Sequence, residues 1–150
     1  MNGEQDLVKL YSGRILALAA GIPRTERLAD ADASVRRRSP LCGSTVIVDI
    51  KVSEGRISDF GQDVKACALG QAAASVVGAN IIGTTLDQVR RGRDQLKAML
   101  KDGAPPPEAP FADLEVLMPA RDYKNRHASI MLALEATVEA FESLENAACA

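Results

Sequence analysis

Three cysteines, Cys42, Cys67 and Cys149, and a single histidine, His127, are the side chains of this 150-residue chain best suited to ligate a metal or act as nucleophiles. Cys42 stands in Ser39-Pro40-Leu41-Cys42-Gly43-Ser44. Pro40 fixes the backbone on one side and Gly43 permits a tight turn on the other, so the thiol is held on a stiff loop that suits a ligand. The alternative is a small apolar side chain packed under a turn. Cys67 falls where a strand pattern hands over to a helix of small residues. The free amides and positive end of that helix suit a thiolate, and Lys65 acts in the same sense; the alternative is a buried cysteine standing in for alanine. His127 lies on the inner stripe of the last helix, either as a ligand or as a hydrogen-bonded core residue. Cys149 sits in an Ala-rich tail where helix fraying disfavours a ligand. No C-x-x-C, H-E-x-x-H or paired cysteine knuckle is present.

The elements that position these residues follow from periodicity. From about Glu4 to Ala20, Val8, Tyr11, Ile15 and Leu18 share one helical face, Gly21 caps that helix and Pro23 forbids its continuation. Arg24 to Arg38 is charged and short of apolar residues, so it reads as a loop entering an edge strand near Ala33 to Arg38. Thr45 to Val52 and Arg56 to Val64, separated by Ser53, Glu54 and Gly55, read as a hairpin with Val46, Val48, Ile50 and Val52 on one face. Gly61 reads as a bulge. After Lys65, Ala66, Ala68, Gly70, Ala72, Ala73, Ala74, Ser75, Gly78 and Ala79 make a helix slim enough to approach a sheet or another backbone closely.

Thr85 and Gln88 form a capping-box pattern before a helix that turns Leu86, Val89, Leu96, Met99 and Leu100 inward and stops at Gly103. Pro105, Pro106, Pro107 and Pro110 then enforce an extended connector leading to Phe111, Leu114, Val116 and Leu117. The last helix spans roughly Asp122 to Asn146, with Tyr123, His127, Ile130, Leu134, Thr137 and Phe141 inward and Glu135, Glu139, Glu142 and Glu145 outward. This is one α+β domain over 1–150: an N-terminal helix within 1–23, a sheet within 33–65, and a helical part over 66–146 with the connector at 103–110.

Composition narrows the function. The 47% hydrophobic and 25% charged fractions are those of a globular domain, and a net charge of −2 gives no basic field for nucleic acid. Aromatics at 3%, without tryptophan, disfavour base-stacking platforms and sugar clefts. The longest apolar run, around Ile15 to Ala20, is too short to span a bilayer, so no membrane role is expected. The opening Met-Asn-Gly-Glu-Gln-Asp lacks the basic start and apolar run of a secretory signal, and the expected location is the cytoplasm, where thiols stay reduced. Short basic runs, Arg36 to Arg38 and Arg90, Arg91 and Arg93, read as solvated faces.

Pro40-Leu41-Cys42-Gly43, the hairpin that follows, and Cys67-Ala68-Leu69-Gly70-Gln71-Ala72-Ala73-Ala74-Ser75 resemble the iron–sulfur cluster assembly scaffolds of the NifU N-terminal, IscU and SufU type. Arg126-His127-Ala128-Ser129-Ile130 resembles the start of that family's last helix. The likeness runs roughly from Ser39 to Phe141, and the Pro-rich connector is similar to that of the SufU branch. It implies a small antiparallel three-stranded sheet covered by helices, with an N-terminal helix and a long C-terminal one.

The resemblance also implies a non-enzymatic carrier. Iron, zinc or a labile [2Fe–2S] cluster would be held by Cys42, Cys67 and His127, the ligand set being completed by Ser44, Asp63, Cys149 or an external thiol. The implied partners are a cysteine desulfurase and acceptor or chaperone proteins. Two positions depart from the family pattern: Ser44 replaces the aspartate of the Cys-Gly-Asp turn, and Ala128 replaces the third cysteine. Met118-Pro119-Ala120-Arg121 keeps one proline and a basic residue of the family's chaperone motif. The departures leave two further readings, a metal-free interaction module on the same fold and a zinc-bound sulfur acceptor carrying a persulfide on Cys42 or Cys67.

Overall fold

The alternating valines and isoleucines after Thr45 form the centre of the sheet. The computed structural model describes residues 12–40 and 43–149, with side chains as far as residue 146. In it β1 (Ala33–Arg38), β2 (Thr45–Ser53) and β3 (Arg56–Lys65) make one antiparallel sheet in that order. Glu54 and Gly55 join β2 to β3 with φ of 53° and 77°, a left-handed pair whose twist matches a two-residue hairpin. Val46, Val48 and Ile50 are buried on the face that the helices cover, each burial contributing roughly 1.5–3 kcal/mol.

Gly61 does not mark a bulge. It pairs in register with Asp49, and the irregularity lies between Lys51 and Val52, where β3 accommodates Ser58 as the extra residue. Gly61 answers a different need, because a Cβ there would collide with the carbonyl oxygen of Glu26 in the segment that crosses this face before β1. That segment is pinned to the sheet by Asp49, which is 0% exposed. The Asp49 carboxylate accepts hydrogen bonds from Arg27 Nε at 2.6 Å, the Leu28 amide at 2.9 Å and Ser34 Oγ at 2.5 Å. Lys51 adds an ion pair to Asp30 at 2.9 Å.

Four helices follow the sequence periodicity. Helix α1 (Gly13–Ala20) is capped by Ser12, whose Oγ accepts from the Ile15 amide; the part of the expected helix over Glu4 to Tyr11 lies outside the described residues. Helix α2 (Ala68–Asn80) is buried along most of its length, from Leu69 to Gly78. Small residues permit this. A Cβ on Gly70 would stand 2.5 Å from Ser129 Oγ, and one on Gly78 would stand 2.7 Å from Gln62 Nε2. Helix α3 (Leu86–Asp102) opens with the Thr85–Gln88 capping box and ends at Gly103 with φ 70°.

The connector delivers Phe111 onto Gly92 of α3, where a Cβ would meet the ring at 2.5 Å. A 3-10 segment, Ala112–Asp122, then buries Leu114, Leu117 and Ala120. Helix α4 (Lys124–Cys149) buries His127, Ile130, Leu134, Thr137 and Phe141, the stripe expected from spacing. The acidic side of α4 is partly bridged to other elements. Glu135 and Glu139 meet Arg37 of β1 at 3.6 and 3.8 Å, and Glu142 meets Arg90 of α3 at 3.1 Å. Among the described residues no helix is long and apolar enough to cross a membrane.

Candidate metal centre

Cys67 occupies the N-cap of α2, in extended conformation, and its carbonyl accepts the first helical hydrogen bond from the Gln71 amide at 2.9 Å. Its half-buried sulfur is turned to α4, with Sγ 3.6 Å from Ser129 Oγ. Ser129, 1% exposed, donates to Ser44 Oγ at 3.0 Å. The glycine at position 70 lets α2 approach α4 closely enough for this thiol and two hydroxyls to meet. Sequence reasoning singled out Cys67 as a candidate ligand and Ser44 as a possible fourth one but gave Ser129 no role; the available signal was a hydroxyl beside Ile130 on the buried side of the last helix.

His127 is 6% exposed, and Nε2 lies 3.0 Å from the carbonyl oxygens of both Ala120 and Arg121. Carbonyl oxygens only accept, so Nε2 carries the proton and donates to them. In the neutral ring the lone pair is therefore on Nδ1, a tautomer set by the backbone at the end of the 3-10 segment. His127 and Ser129 are two positions apart, roughly 200° around the helix. The imidazole accordingly lies on a different side of α4 from the Cys67 contact and lines a groove between α3 and α4 together with Ala128.

Cys42 lies outside the described residues, flanked by Pro40 and by Gly43 with φ 71°, the turn conformation the loop was expected to need. Asp63 pairs with Ile47 and lines a small surface cavity of about 90 Å³ with Arg36, Thr45 and Lys65. The side chain of Cys149, at the end of α4, is outside the described side chains. Among the described residues no three His, Cys, Asp or Glu side chains are grouped closely enough to hold a metal ion.

A three-stranded antiparallel sheet, a small-residue helix opened by a cysteine, and a long last helix carrying a backbone-anchored histidine define an α+β domain of the cluster-scaffold type. The family described as NifU-like N terminal domain matches residues 11–130. This chain belongs to the NifU-like N-terminal domain family. It is 23% identical over 118 residues to the iron–sulfur cluster assembly scaffold protein IscU of Streptococcus pyogenes serotype M1, a match covering 79% of this chain and 74% of that one. Among solved structures, a nitrogen-fixing NifU-like protein (N-terminal) from Brucella abortus superposes with a TM-score of 0.92 at 44% identity, covering 94% of this chain and 98% of that one. A putative iron–sulfur cluster assembly scaffold for the SUF system from Fervidobacterium islandicum gives 0.81 at 19% identity, over 89% and 98% of the two chains, a likeness of fold.

Proposed function

We propose that this chain is an iron–sulfur cluster assembly scaffold that takes up iron, zinc or a labile [2Fe–2S] cluster as cargo on Cys42, Cys67 and His127 and passes it to acceptor proteins. The observation that carries the reading is the clamped imidazole. Two backbone carbonyls hold Nε2–H at 3.0 Å each and so reserve Nδ1 for a ligand, the outer-shell arrangement that orients metal-binding histidines. Cys67 adds a half-exposed thiol at a helix N-cap. Because the imidazole and the Cys67 contact lie on different sides of α4, a shared ion requires the start of α4 to turn; two thiolates and one imidazole are then a donor set that suits zinc and iron–sulfur centres. Ser44 or Asp63 is the proposed fourth ligand.

The chain then acts as a carrier and not as an enzyme, with a cysteine desulfurase supplying sulfur. A set with two thiolates holds its cargo less tightly than one with three, which favours release to an acceptor. Anaerobic reconstitution with ferrous iron and sulfide, followed by absorption and metal analysis, tests the reading. Wild type retains metal near stoichiometry, and Cys42→Ala, Cys67→Ala and His127→Ala each lose most of it. A wild type that retains none refutes it.

A second reading, a metal-free interaction module, draws on the buried Ser129–Ser44 hydrogen bond, which joins α4 to the start of β2 at this corner. It expects the three alanine variants to fold and bind partners like wild type, and a strong loss of wild-type thermal stability on chelation counts against it.

A further inference from the structure

The groove that His127 lines has a volume of about 1030 Å³ and runs between α3 and α4. Arg93, Lys97 and Lys101 stand on its α3 wall, while Arg121 and Lys124 stand at the junction of the 3-10 segment and α4. Three acidic residues, Asp94, Asp122 and Glu135, share the lining. Two of these are engaged already: Asp94 accepts from Arg93 at 3.0 Å and Glu135 faces Arg37 at 3.6 Å. Among the described residues no carboxylate lies within ion-pair distance of Lys97, Lys101 or Lys124. A protein with net charge −2 thus gathers five cations against three carboxylates along this groove, and Lys97, Lys101 and Lys124 stand outside the ion pairs of the described residues.

We propose that this groove docks an extended, carboxylate-rich segment of a partner protein. The spacing selects that occupant. Arg93, Lys97 and Lys101 are four residues apart on a helix, so they stand about 6 Å from one another along the axis. Alternate side chains of an extended chain are about 6.6 Å apart and point the same way. A segment with acidic residues at every second position therefore meets the three cations in turn, and Arg121 and Lys124 close on it from the other wall. A single phosphate would need donors converging on one point, preferably the paired donors of arginine, whereas these are mostly lysines distributed along a line. Leu100 and Met131, both buried, give the groove an apolar floor for the segment's aliphatic stems. Because Ala128 and His127 line the same groove, the docked segment lies beside the imidazole.

The probe is a fluorescein-labelled peptide, Glu-Ser-Glu-Ser-Glu-Ser-Glu, titrated with the full chain and followed by anisotropy. Binding is expected at low ionic strength, weakening as salt rises and absent when every Glu is Gln. Lys97→Glu combined with Lys101→Glu, both at exposed positions, is expected to weaken binding by about tenfold or more, and Lys124→Glu on the opposite wall does so independently. Arg91→Glu, outside the groove and paired with Glu108, changes it less than about twofold. Circular dichroism melts confirm that each variant is folded. The proposal is overturned if wild type does not bind the peptide, if the groove variants bind like wild type, or if Arg91→Glu weakens binding as much as they do. It is overturned too if millimolar inorganic phosphate, at constant ionic strength, displaces the peptide, which would make the groove a small-anion site.

Discussion

Ser129 links the thiol of Cys67 to the hydroxyl of Ser44, so the chemistry of this corner depends on two helices meeting without a side chain between them. Gly70→Ala places a methyl group 2.5 Å from Ser129 Oγ and is expected to lower stability by about 1–3 kcal/mol, the usual cost of overpacking a close contact. Denaturant titration measures it; an unchanged midpoint would mean that α2 and α4 are not held together there. Asp49 provides a pH signature at the same scale. Burial pushes its carboxyl up, but the hydrogen bonds from Arg27, Ser34 and the Leu28 amide outweigh burial and hold it below the ordinary carboxylate value. A group depressed in the folded state stabilises fully above its unfolded value, about 3.9, and loses that contribution as pH falls through the lower folded value. Stability should therefore decline below about pH 4. Asp49→Asn should remove this part of the acid sensitivity while costing about 1–3 kcal/mol at neutral pH, read from urea midpoints across pH.

Elements whose hydrophobic period is long and uninterrupted were legible from residues alone. The stripe from His127 to Phe141 is buried as spacing requires, β1 has the bounds read from its edge pattern, and α3 carries both its capping box and its left-handed terminal glycine. What was not legible depends on contacts distant in sequence. Gly61 looks like a bulge until the Glu26 carbonyl is seen above it, and nothing local to Gly92 announces Phe111. Residues after the connector were recognisable as apolar, but not as a 3-10 segment, because Pro119 and the short spacing of Leu114 and Leu117 give no clear period. Of the candidate site, motifs singled out Cys67 and His127, and the structure shows the first at a helix N-cap and the second anchored on backbone carbonyls. Motifs were silent at Ser129, whose role exists only through the approach of α2. Gly92→Ala, which drives a methyl group into the Phe111 ring, is expected to destabilise by about 1–3 kcal/mol and to loosen the 3-10 segment that holds His127. Hydrogen exchange at Ala120 to Tyr123 checks this, and unchanged protection there would count against it.

At the scale of the whole molecule, binding to the folded state alone must raise its stability by mass action. Zinc at about a hundred times its dissociation constant adds about 2.7 kcal/mol, which corresponds to a melting shift on the order of 5–10 °C for a chain of this size. Wild type should show that shift and lose it on chelation, while Cys67→Ala and His127→Ala should melt at one temperature with and without zinc. X-ray absorption at the metal edge of the reconstituted wild-type protein reads which atoms touch the metal. Sulfur scatterers near 2.3 Å are expected together with an imidazole nitrogen at about 2.0–2.1 Å for zinc, the imidazole signature vanishing in His127→Ala. A first shell of light atoms alone, or a spectrum unchanged by loss of His127, would contradict this ligand set.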